Sequence, residues 1–329
     1  MIASVKKKGS PRTHGVASEF VGRKALQGRD FIDIADLDPE QLRHLIELAH
    51  AIKAGRWSQR PLERRHIAML FQKPSHRTRV SFEVGIARLG GTTTTLSEQD
   101  VQLGVRETVS DAARVLDRYV DGVVARLRSH GDMLELAAAS AKPVINGLTD
   151  RSHPCQVLAD LVTLEEARGA LAGQHVVFIG DGNNVAASLI EASALAGFAL
   201  TVVSPAGYQP KADVLERARS ISAGPLRVTL TSDLGAIDGA TAIYTDVWAS
   251  MGHENERDER RKAFAEYQVN EAVMEVAPGA VFMHCLPAHR GQEVTDEVID
   301  GPRSVVFDQA ENRLYAQMAV MAELFGTEG

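Results

Sequence analysis

Short runs of apolar residues alternate along the chain with longer stretches in which apolar positions recur at helical spacing. A run of about four to eight apolar residues between polar or glycine-rich segments is typical of a strand buried in a parallel sheet. We assign such strands to residues 66–71, 122–126, 143–146, 176–180, 200–203, 242–244 and 281–283. Strands that alternate with helices predict an α/β fold of parallel sheets flanked by helices.

The intervening helices are predicted from their start signals and from their spacing. Asp38 followed by Pro39 indicates a helix start, with Asp38 as the cap and Pro39 at the first helical position. Helical periodicity also covers residues 80–89, 156–168 and 312–325. The segment at 312–325 is expected to form a closing helix.

A chain of 329 residues, 44% of them hydrophobic, fits two domains of ordinary size. We predict a first α/β domain over residues 29–169, a second over residues 170–303, and a C-terminal helical segment over residues 304–329. Residues 1–28 contain lysines with no apolar core behind them. A disordered extension is therefore expected there rather than a secretory signal.

Net charge and cysteine usage exclude several classes of protein. A formal net charge of -7 argues against general nucleic-acid binding, which needs a basic face. The two cysteines, Cys155 and Cys285, lie far apart, which suggests a reducing compartment and no disulfide framework. No apolar run approaches membrane-spanning length. We therefore expect a cytoplasmic protein that binds neither nucleic acid nor membrane.

A basic cluster at residues 75–79 (SHRTR) follows the first predicted strand and opens a helix. A helix N-terminus offers unpaired N–H donors and the positive end of the helix dipole. Arg77 adds a planar fork that suits phosphate. A solvated helix start with Ser75 as a simple cap would explain one arginine but not the whole cluster. A small anionic ligand is predicted here.

Polar residues also follow the other predicted strands. Arg126 ends one strand, and His153 and Gln156 open the helix after the next. Asp246 follows the strand at 242–244 and is suited to neutralise a ligand ammonium group. Each residue alone is more often a surface charge or a helix cap. Because carboxyl ends of parallel strands meet at one edge, the set favours a single ligand site.

Two further segments are compatible with other chemistry. Residues 180–184 (GDGNN) suggest a dinucleotide turn, but Val185 stands where the third glycine of G-x-G-x-x-G belongs. Cys285 beside His284 could form a nucleophile–base pair, yet adjacent strand residues point to opposite faces. Zinc binding by these two residues and His289 lacks a second spaced pair of ligands. Neither a metal nor a cofactor is predicted.

Four motifs together resemble one known family. Residues 71–79 (FQKPSHRTR) resemble the carbamoyl phosphate signature of the aspartate and ornithine carbamoyltransferases, and residues 153–160 (HPCQVLAD) look like their second signature. Residues 246–252 (DVWASMG) and 284–287 (HCLP) are similar to the ornithine branch. The resemblance covers nearly all of the chain from about Arg29 onward. It implies a two-domain α/β fold whose C-terminal helix packs back on the first domain.

The resemblance also implies roles for individual residues. Those implied to bind carbamoyl phosphate are Ser75, His76, Arg77, Thr78, Gln102, Arg126, His153, Gln156, Cys285, Leu286 and Arg313. Those implied to act in catalysis are Arg77, His153, Cys285 and Arg313, and those implied to bind ornithine are Asn184, Asp246, Ser250 and Met251. Gln102 is implied to reach the site of a neighbouring subunit. The family usually has threonine in place of His76, so a hydroxyl is missing there.

The reaction that the resemblance implies is carbamoyl transfer from carbamoyl phosphate to the δ-amine of L-ornithine, giving L-citrulline and phosphate. It also implies a homotrimer, or a multiple of trimers, with shared active sites. Asp246 disfavours a dicarboxylate acceptor such as aspartate, whereas putrescine and acetyl- or succinylornithine stay open. A nucleotide-binding dehydrogenase and a non-catalytic paralogue are the alternatives from other classes.

Overall fold

The computed structural model describes residues 26–249 and 254–326. Within these ranges the chain forms two parallel sheets flanked by helices, which confirms the predicted fold class. Ser250 and Met251, both expected at the ligand site, lie outside the described residues. No helix in the described part of the chain combines the length and the apolar character needed to cross a membrane.

The first sheet comes from the first half of the chain. Its strands are β1 (His66–Phe71), β2 (Thr92–Ser97), β3 (Gly122–Arg126) and β4 (Val144–Leu148), in the spatial order β2-β1-β3-β4. Its helices are α1 (Pro39–Lys53), α2 (His76–Arg88), α3 (Glu98–Val101), α4 (Val109–Leu116), α5 (His130–Ala139) and α6 (Pro154–Arg168). The three buried strands β1, β3 and β4 are those that the apolar runs predict.

The second sheet follows the domain boundary proposed near Gly169. Its strands are β5 (His175–Ile179), β6 (Ala199–Val203), β7 (Val228–Thr231), β8 (Ala242–Thr245) and β9 (Val281–His284), in the order β7-β6-β5-β8-β9. Its helices are α7 (Asn184–Ala196), α8 (Ala212–Ile221), α9 (Arg257–Ala263), α10 (Glu271–Val276) and α11 (Asp296–Ile299). In both sheets the strand order reverses next to the first strand.

The helix α12 (Val306–Phe325) returns from the second sheet to the first domain, where it packs against α6, α1 and α2. Gly85 permits this approach, because a Cβ there would stand 3.2 Å from side-chain atoms of Met318 and Met321. The expected packing of the C-terminal helix on the first domain is confirmed. The helix begins at Val306, earlier than the expected residue 312.

The helix starts follow the expected capping chemistry. The Asp38 carboxylate accepts the backbone N–H of Gln41 at 2.9 Å, with Pro39 at the first helical position, so the prediction for α1 is confirmed. Asn183 caps α7 in the same way, accepting the N–H groups of Val185 and Ala186 at 2.9 and 3.2 Å. These caps fix where each helix begins relative to the strand before it.

The structure adds to the sequence prediction in three places. Strands β2 and β7 have no apolar run, because both are edge strands rich in partly exposed threonine. Leu26 is buried, and the N–H of Gly28 donates to the carbonyl of Leu324 at 3.1 Å. Both residues were assigned to the expected extension over residues 1–28, which therefore ends too late, and residues 1–25 lie outside the described residues.

Candidate active site

A cavity lies between the two sheets, at the carboxyl ends of their central strands. It opens where the strand order reverses, between β1 and β3 in one sheet and between β5 and β8 in the other. Open parallel sheets bind ligands at such points. The cavity is lined by Ser75, Arg77, Arg126, Leu148, His153, Asn184, Val185, Asp246, Val247, Cys285, Leu286, Pro287 and Arg313. Thus it joins residues from all four sequence motifs with one from α12.

The first turn of α2 forms one end of the cavity. The Ser75 hydroxyl caps this helix, accepting the backbone N–H of Thr78 at 3.4 Å and donating to Thr78 Oγ1 at 3.1 Å. Thr78 is fully buried, and its Oγ1 also accepts from the Arg313 guanidinium at 2.8 Å. This bond fastens α12 to the start of α2. The arrangement leaves backbone N–H groups of a helix N-terminus at the cavity.

Three guanidinium groups, those of Arg77, Arg126 and Arg313, lie at this end of the cavity. The Nε atom of each is buried and has no hydrogen-bond partner among the described residues. Burial lowers the pKa of all three, and repulsion from Arg313 helps to lower the pKa of Arg126 to about 10. All three stay charged at neutral pH. Since unpaired buried charges are costly, the cluster is suited to an anionic ligand.

His153 lies just before α6, and its backbone N–H donates to Ser188 Oγ at 3.0 Å. Its ring is buried, and Nδ1 has no partner among the described residues. Burial, reinforced by the charges of Arg313, Arg126 and Arg77, holds the pKa of the ring well below its ordinary value. The imidazole is therefore neutral at physiological pH. A neutral ring can donate one N–H to an oxygen without adding charge.

The opposite wall of the cavity carries a carboxylate and a thiol. Cys285 Sγ donates to Asp246 Oδ1 at 3.1 Å, and Asn183 Nδ2 donates to Asp246 Oδ2 at 2.7 Å. Burial and the adjacent Asp246 raise the pKa of the Cys285 thiol well above its ordinary value. The sulfur is thus a protonated donor rather than a thiolate nucleophile. The sequence did not predict this pairing of Cys285 with Asp246.

His284 does not act on Cys285. Its Nδ1 accepts the backbone N–H of Leu286 at 2.8 Å, and its Nε2 lies 3.2 Å from Glu293 Oε1. An Nδ1 that accepts carries no proton, so the ring proton is on Nε2. Asp246, His284 and Cys285 have potential ligand atoms within 4.8 Å of one another, but both ring nitrogens of His284 are engaged. The hydrogen bonds hold Leu286 at a φ of 57°, a left-handed conformation.

Residues 180–184, which suggested a dinucleotide turn, pack against Tyr208 and Pro210 of the same chain. A Cβ on Gly182 would stand 2.2 Å from the backbone nitrogen of Pro210, and the N–H of Gly182 donates to the carbonyl of Tyr208 at 2.8 Å. The glycine is required by this close approach rather than by a pyrophosphate. Asn184, at the start of α7, lines the cavity, and its Nδ2 donates to the carbonyl of Thr149 at 2.6 Å.

Some predicted residues do not line the cavity. His76 is exposed, and Gln102, with a φ of 48°, is an exposed cap at the end of α3. Gln156 is buried and donates to Asp160 at 2.9 Å. Arg79 pairs with Glu83 on the outer face of α2 at 2.9 Å, as a structural rather than a ligand-binding role would require.

Other residues at the site were not among the predicted binding residues. Val247 and Pro287 belong to the motifs at residues 246–252 and 284–287 and line the cavity, and Leu148 lines it at the end of β4. Asn183 contacts Asp246 through its side chain. Its side-chain amide and its place after a buried strand suit a polar small ligand, but these signals do not separate a helix cap from a partner of Asp246.

Comparison with known proteins shows to which family the chain belongs. The family model described as "Aspartate/ornithine carbamoyltransferase, carbamoyl-P binding domain" matches residues 29–166. The model described as "Aspartate/ornithine carbamoyltransferase, Asp/Orn binding domain" matches residues 172–324. The chain belongs to the aspartate/ornithine carbamoyltransferase family. Within this family, the cavity lies between the domain named for carbamoyl phosphate and the domain named for the amino acid.

Curated members of the family are similar over nearly their whole length. A protein of Symbiobacterium thermophilum named ornithine carbamoyltransferase is 51% identical over 303 residues, which are 90% of this chain and 97% of that protein. A protein of Thermococcus kodakarensis with the same name is 51% identical over 310 residues, or 92% of this chain and 98% of that one.

Solved structures of the family have the same fold. The structure of ornithine carbamoyltransferase from Pyrococcus furiosus matches with a TM-score of 0.87 at 49% identity, covering 92% of this chain and 99% of that one. The structure from Thermus thermophilus matches with a TM-score of 0.81 at 42% identity, covering 89% and 97%. The likeness therefore extends over both sheets.

Proposed function

We propose that the protein transfers the carbamoyl group of carbamoyl phosphate to the δ-amine of L-ornithine, giving L-citrulline and phosphate. One observation carries the proposal: three guanidinium groups without ion-pair partners among the described residues share a cavity with Asp246. The three guanidinium groups suit a phosphorylated donor, and Asp246 suits a cationic acceptor. Relatives that are about half identical over nearly their full length bear the name ornithine carbamoyltransferase, which supports the same reaction.

The phosphate of the donor would bind at the start of α2. Ser75, Arg77 and Arg126 line that end of the cavity, and the backbone N–H of Thr78, which donates to Ser75 Oγ at 3.4 Å, would be shared with the phosphate. The positive end of the helix dipole adds to the attraction. His76 is exposed, so we assign it a backbone contribution at most.

The carbonyl oxygen of the carbamoyl group would accept hydrogen bonds from Arg77, His153 and Arg313. Negative charge develops on this oxygen as the tetrahedral species forms, and preorganised donors lower the barrier by stabilising it. The neutral imidazole of His153 fits this role because it donates without competing for a proton. Gln156 would hold the NH2 of the carbamoyl group.

The attacking nitrogen must be neutral, whereas a free alkyl amine is protonated near neutral pH. Positive charge from the three arginines favours loss of that proton. The new C–N bond forms as the bond from the carbamoyl carbon to the phosphate oxygen breaks, and the departing phosphate takes the amine proton. Cys285 would contact the amine as a neutral thiol, together with the carbonyl of Leu286, and no covalent enzyme intermediate forms.

The amino-acid end of ornithine would lie against Asn184 and Asp246. Asp246 Oδ1 and Oδ2 already accept three hydrogen bonds, from Cys285, Asn183 and the backbone N–H of Val247, so its carboxylate is oriented before an ammonium group arrives. Ser250 and Met251 are proposed to complete this subsite. A dicarboxylate acceptor such as aspartate would be repelled by Asp246.

We also propose a trimer, or a multiple of trimers, with shared sites in a cytoplasmic enzyme of arginine metabolism. Gln102 is exposed and does not line the cavity of its own chain, which supports a role at a neighbour's phosphate site. Val80, Val105 and Tyr119 are 52%, 85% and 75% exposed on the first domain, and a subunit contact there would remove their apolar surface from water.

The test is a citrulline assay with a panel of acceptors at fixed carbamoyl phosphate. Product should form with L-ornithine, and little or none with putrescine, acetylornithine, succinylornithine or L-aspartate. Faster turnover of any other acceptor would reject ornithine as the substrate. No product with any acceptor would favour a non-catalytic paralogue, and tight NAD binding would revive the dehydrogenase alternative.

A further inference from the structure

A buried network of amide and carboxyl groups joins α6 to α12. Asp160 Oδ1 accepts from Gln156 Nε2 at 2.9 Å and from Gln309 Nε2 at 2.7 Å. These three side chains are at most 2% exposed. Gln309 Nε2 also donates to the hydroxyl of Tyr244, on β8, at 3.1 Å. One carboxyl oxygen thus collects donors from two helices that come from distant parts of the sequence.

Asp160 decides which way both amides face. A glutamine amide donates from nitrogen and accepts at oxygen, and a hydrogen bond to Oδ1 requires the nitrogen. Burial raises the pKa of Asp160 to about 7, so both protonation states occur near neutral pH. Because two N–H groups occupy Oδ1, a proton on the carboxyl resides on Oδ2. Oδ1 therefore accepts in either state.

The two amide oxygens point away from Asp160 to different partners. Gln309 Oε1 accepts the backbone N–H of His284, at the end of β9, at 3.0 Å. Gln156 Oε1 is buried and has no partner among the described residues. It belongs to the first turn of α6, three residues after His153, so it lies on the same side of that helix. An acceptor left unpaired at this depth is costly to the fold.

A bound carbamoyl group would supply the missing donor. Its NH2 carries two N–H bonds, whereas the phosphate and the carbonyl oxygen of the same molecule only accept. We propose that Asp160 is a positioning residue, which holds Gln156 with Oε1 turned toward the carbamoyl NH2. The inference rests on the proposed function and adds a selectivity to it. The site recognises the amide end of the donor separately from its phosphate.

Two ligands test recognition of the phosphate and of the NH2 separately. Inorganic phosphate has only the anionic group, whereas phosphonoacetamide has both an anionic group and an NH2. Calorimetric titration of Asp160→Leu should give an affinity for phosphonoacetamide that is about tenfold to a hundredfold weaker than that of the wild type. Its affinity for phosphate should not fall more than about twofold, because the arginines and α2 keep their hydrogen bonds. Loss of the attraction between Asp160 and Arg313 leaves that guanidinium no less able to attract an anion. Asp160→Asn can turn its own Oδ1 to the same donors, so it should recover most of the loss.

Thr163→Val is the matched control. Thr163 is also buried on α6, and its hydroxyl donates to the carbonyl of Ala159 at 2.8 Å and accepts from Asn312 Nδ2, on α12, at 3.0 Å. The change therefore removes a buried polar contact between α6 and α12, as Asp160→Leu does, without removing a partner of Gln156. The Thr163→Val variant should bind both probes as the wild type does. Equal weakening of both probes in Asp160→Leu, or weakening of neither, would overturn the proposal.

Gln156→Leu provides a second arm if Asp160→Leu does not fold. Removing the amide itself should produce the same selective loss, and an unchanged preference for phosphonoacetamide would overturn the proposal. In the Gln156→Leu background, adding Asp160→Leu should cost no further affinity for that probe. A wild-type protein that makes no citrulline yet has this selectivity would reject the proposed reaction while retaining the role of Asp160.

Discussion

The two walls of the cavity differ in how far their polar groups are already paired. The cationic wall, formed by Arg77, Arg126 and Arg313, has a buried Nε without a partner on each arginine among the described residues. The acidic wall, formed by Asp246 and Cys285, has its carboxylate held by hydrogen bonds at 3.1 and 2.7 Å. The cationic wall is therefore incomplete until an anion binds. The acidic wall must exchange or share existing bonds when its ligand arrives.

This difference bears on binding energy. Filling an unpaired cluster recovers the cost of its burial, so the anion should contribute most of the affinity. A ligand at the acidic wall gains less, because it competes with Cys285 and Asn183 for Asp246. We expect the phosphorylated donor to bind strongly on its own and the amine acceptor to bind weakly without it.

The largest expected effect is at Arg77. Arg77→Lys keeps the charge but loses the planar fork and at least one donor, so kcat/KM for carbamoyl phosphate should fall about 100- to 1000-fold. Arg79→Lys is the matched control, because a lysine can keep the surface pair with Glu83, and its activity should stay within about twofold. Comparable losses in both variants would mean that Arg77 has no special role at the cavity.

The next effect is at Cys285. Cys285→Ala removes a donor to Asp246, so kcat/KM for ornithine should fall about tenfold, while the KM for carbamoyl phosphate changes little. Cys285→Ser restores a donor and should recover part of the loss. Steady-state kinetics with each substrate varied in turn would measure this. Complete inactivity of both variants would instead point to a covalent role for the thiol.

A smaller effect is expected on thermal stability. Carbamoyl phosphate or inorganic phosphate at about 100 times its Kd should stabilise the fold by about 2.7 kcal/mol. For a chain of this size, that corresponds to a rise in Tm of about 4 °C. Ornithine alone at the same concentration should raise the Tm less. Differential scanning fluorimetry at constant ionic strength would measure which ligand gives the larger rise in Tm. A larger rise with ornithine alone would reverse the comparison between the two walls.

The smallest effect is expected from pH on donor binding. The pKa of Arg126 is lowered to about 10, so this arginine keeps its charge through pH 7–9 and loses it as the pH rises through about 10. His153 is already neutral throughout that range, because its pKa is well below the ordinary value. The affinity for phosphonoacetamide should thus be nearly constant from about pH 8 to 9, where the phosphonate of this probe is already ionised. A steep change there, measured by titration, would mean that another group titrates at the cationic wall.

The sequence predicts the central strands well and the edges poorly. Strands β1 and β3 have apolar runs because both of their faces are buried, whereas the threonine-rich β2 has no such run. The cluster at residues 75–79 predicts an anion site from its place after a strand, and Arg77 lines the cavity.

The pattern of residues along the chain does not predict long-range contacts or the direction in which a side chain points. Periodicity gives no reason to bring Arg313 to Thr78, and only the resemblance to a family suggested it. Gln156 was expected at the ligand, but the structure has its amide nitrogen on Asp160. Which end of an amide faces a ligand depends on a partner one helical turn away, and a motif of residue types does not encode it.

The hydrogen bond between Arg313 and Thr78 has a consequence for synthesis of the protein on the ribosome. The two residues are 235 positions apart in the chain. At about 5–20 residues per second, Arg313 is made about 10–50 s after Thr78. The first sheet can fold during that interval, but its anion site then lacks one of its three guanidinium groups. A nascent chain should therefore bind the phosphorylated donor only weakly until α12 has left the ribosome and docked.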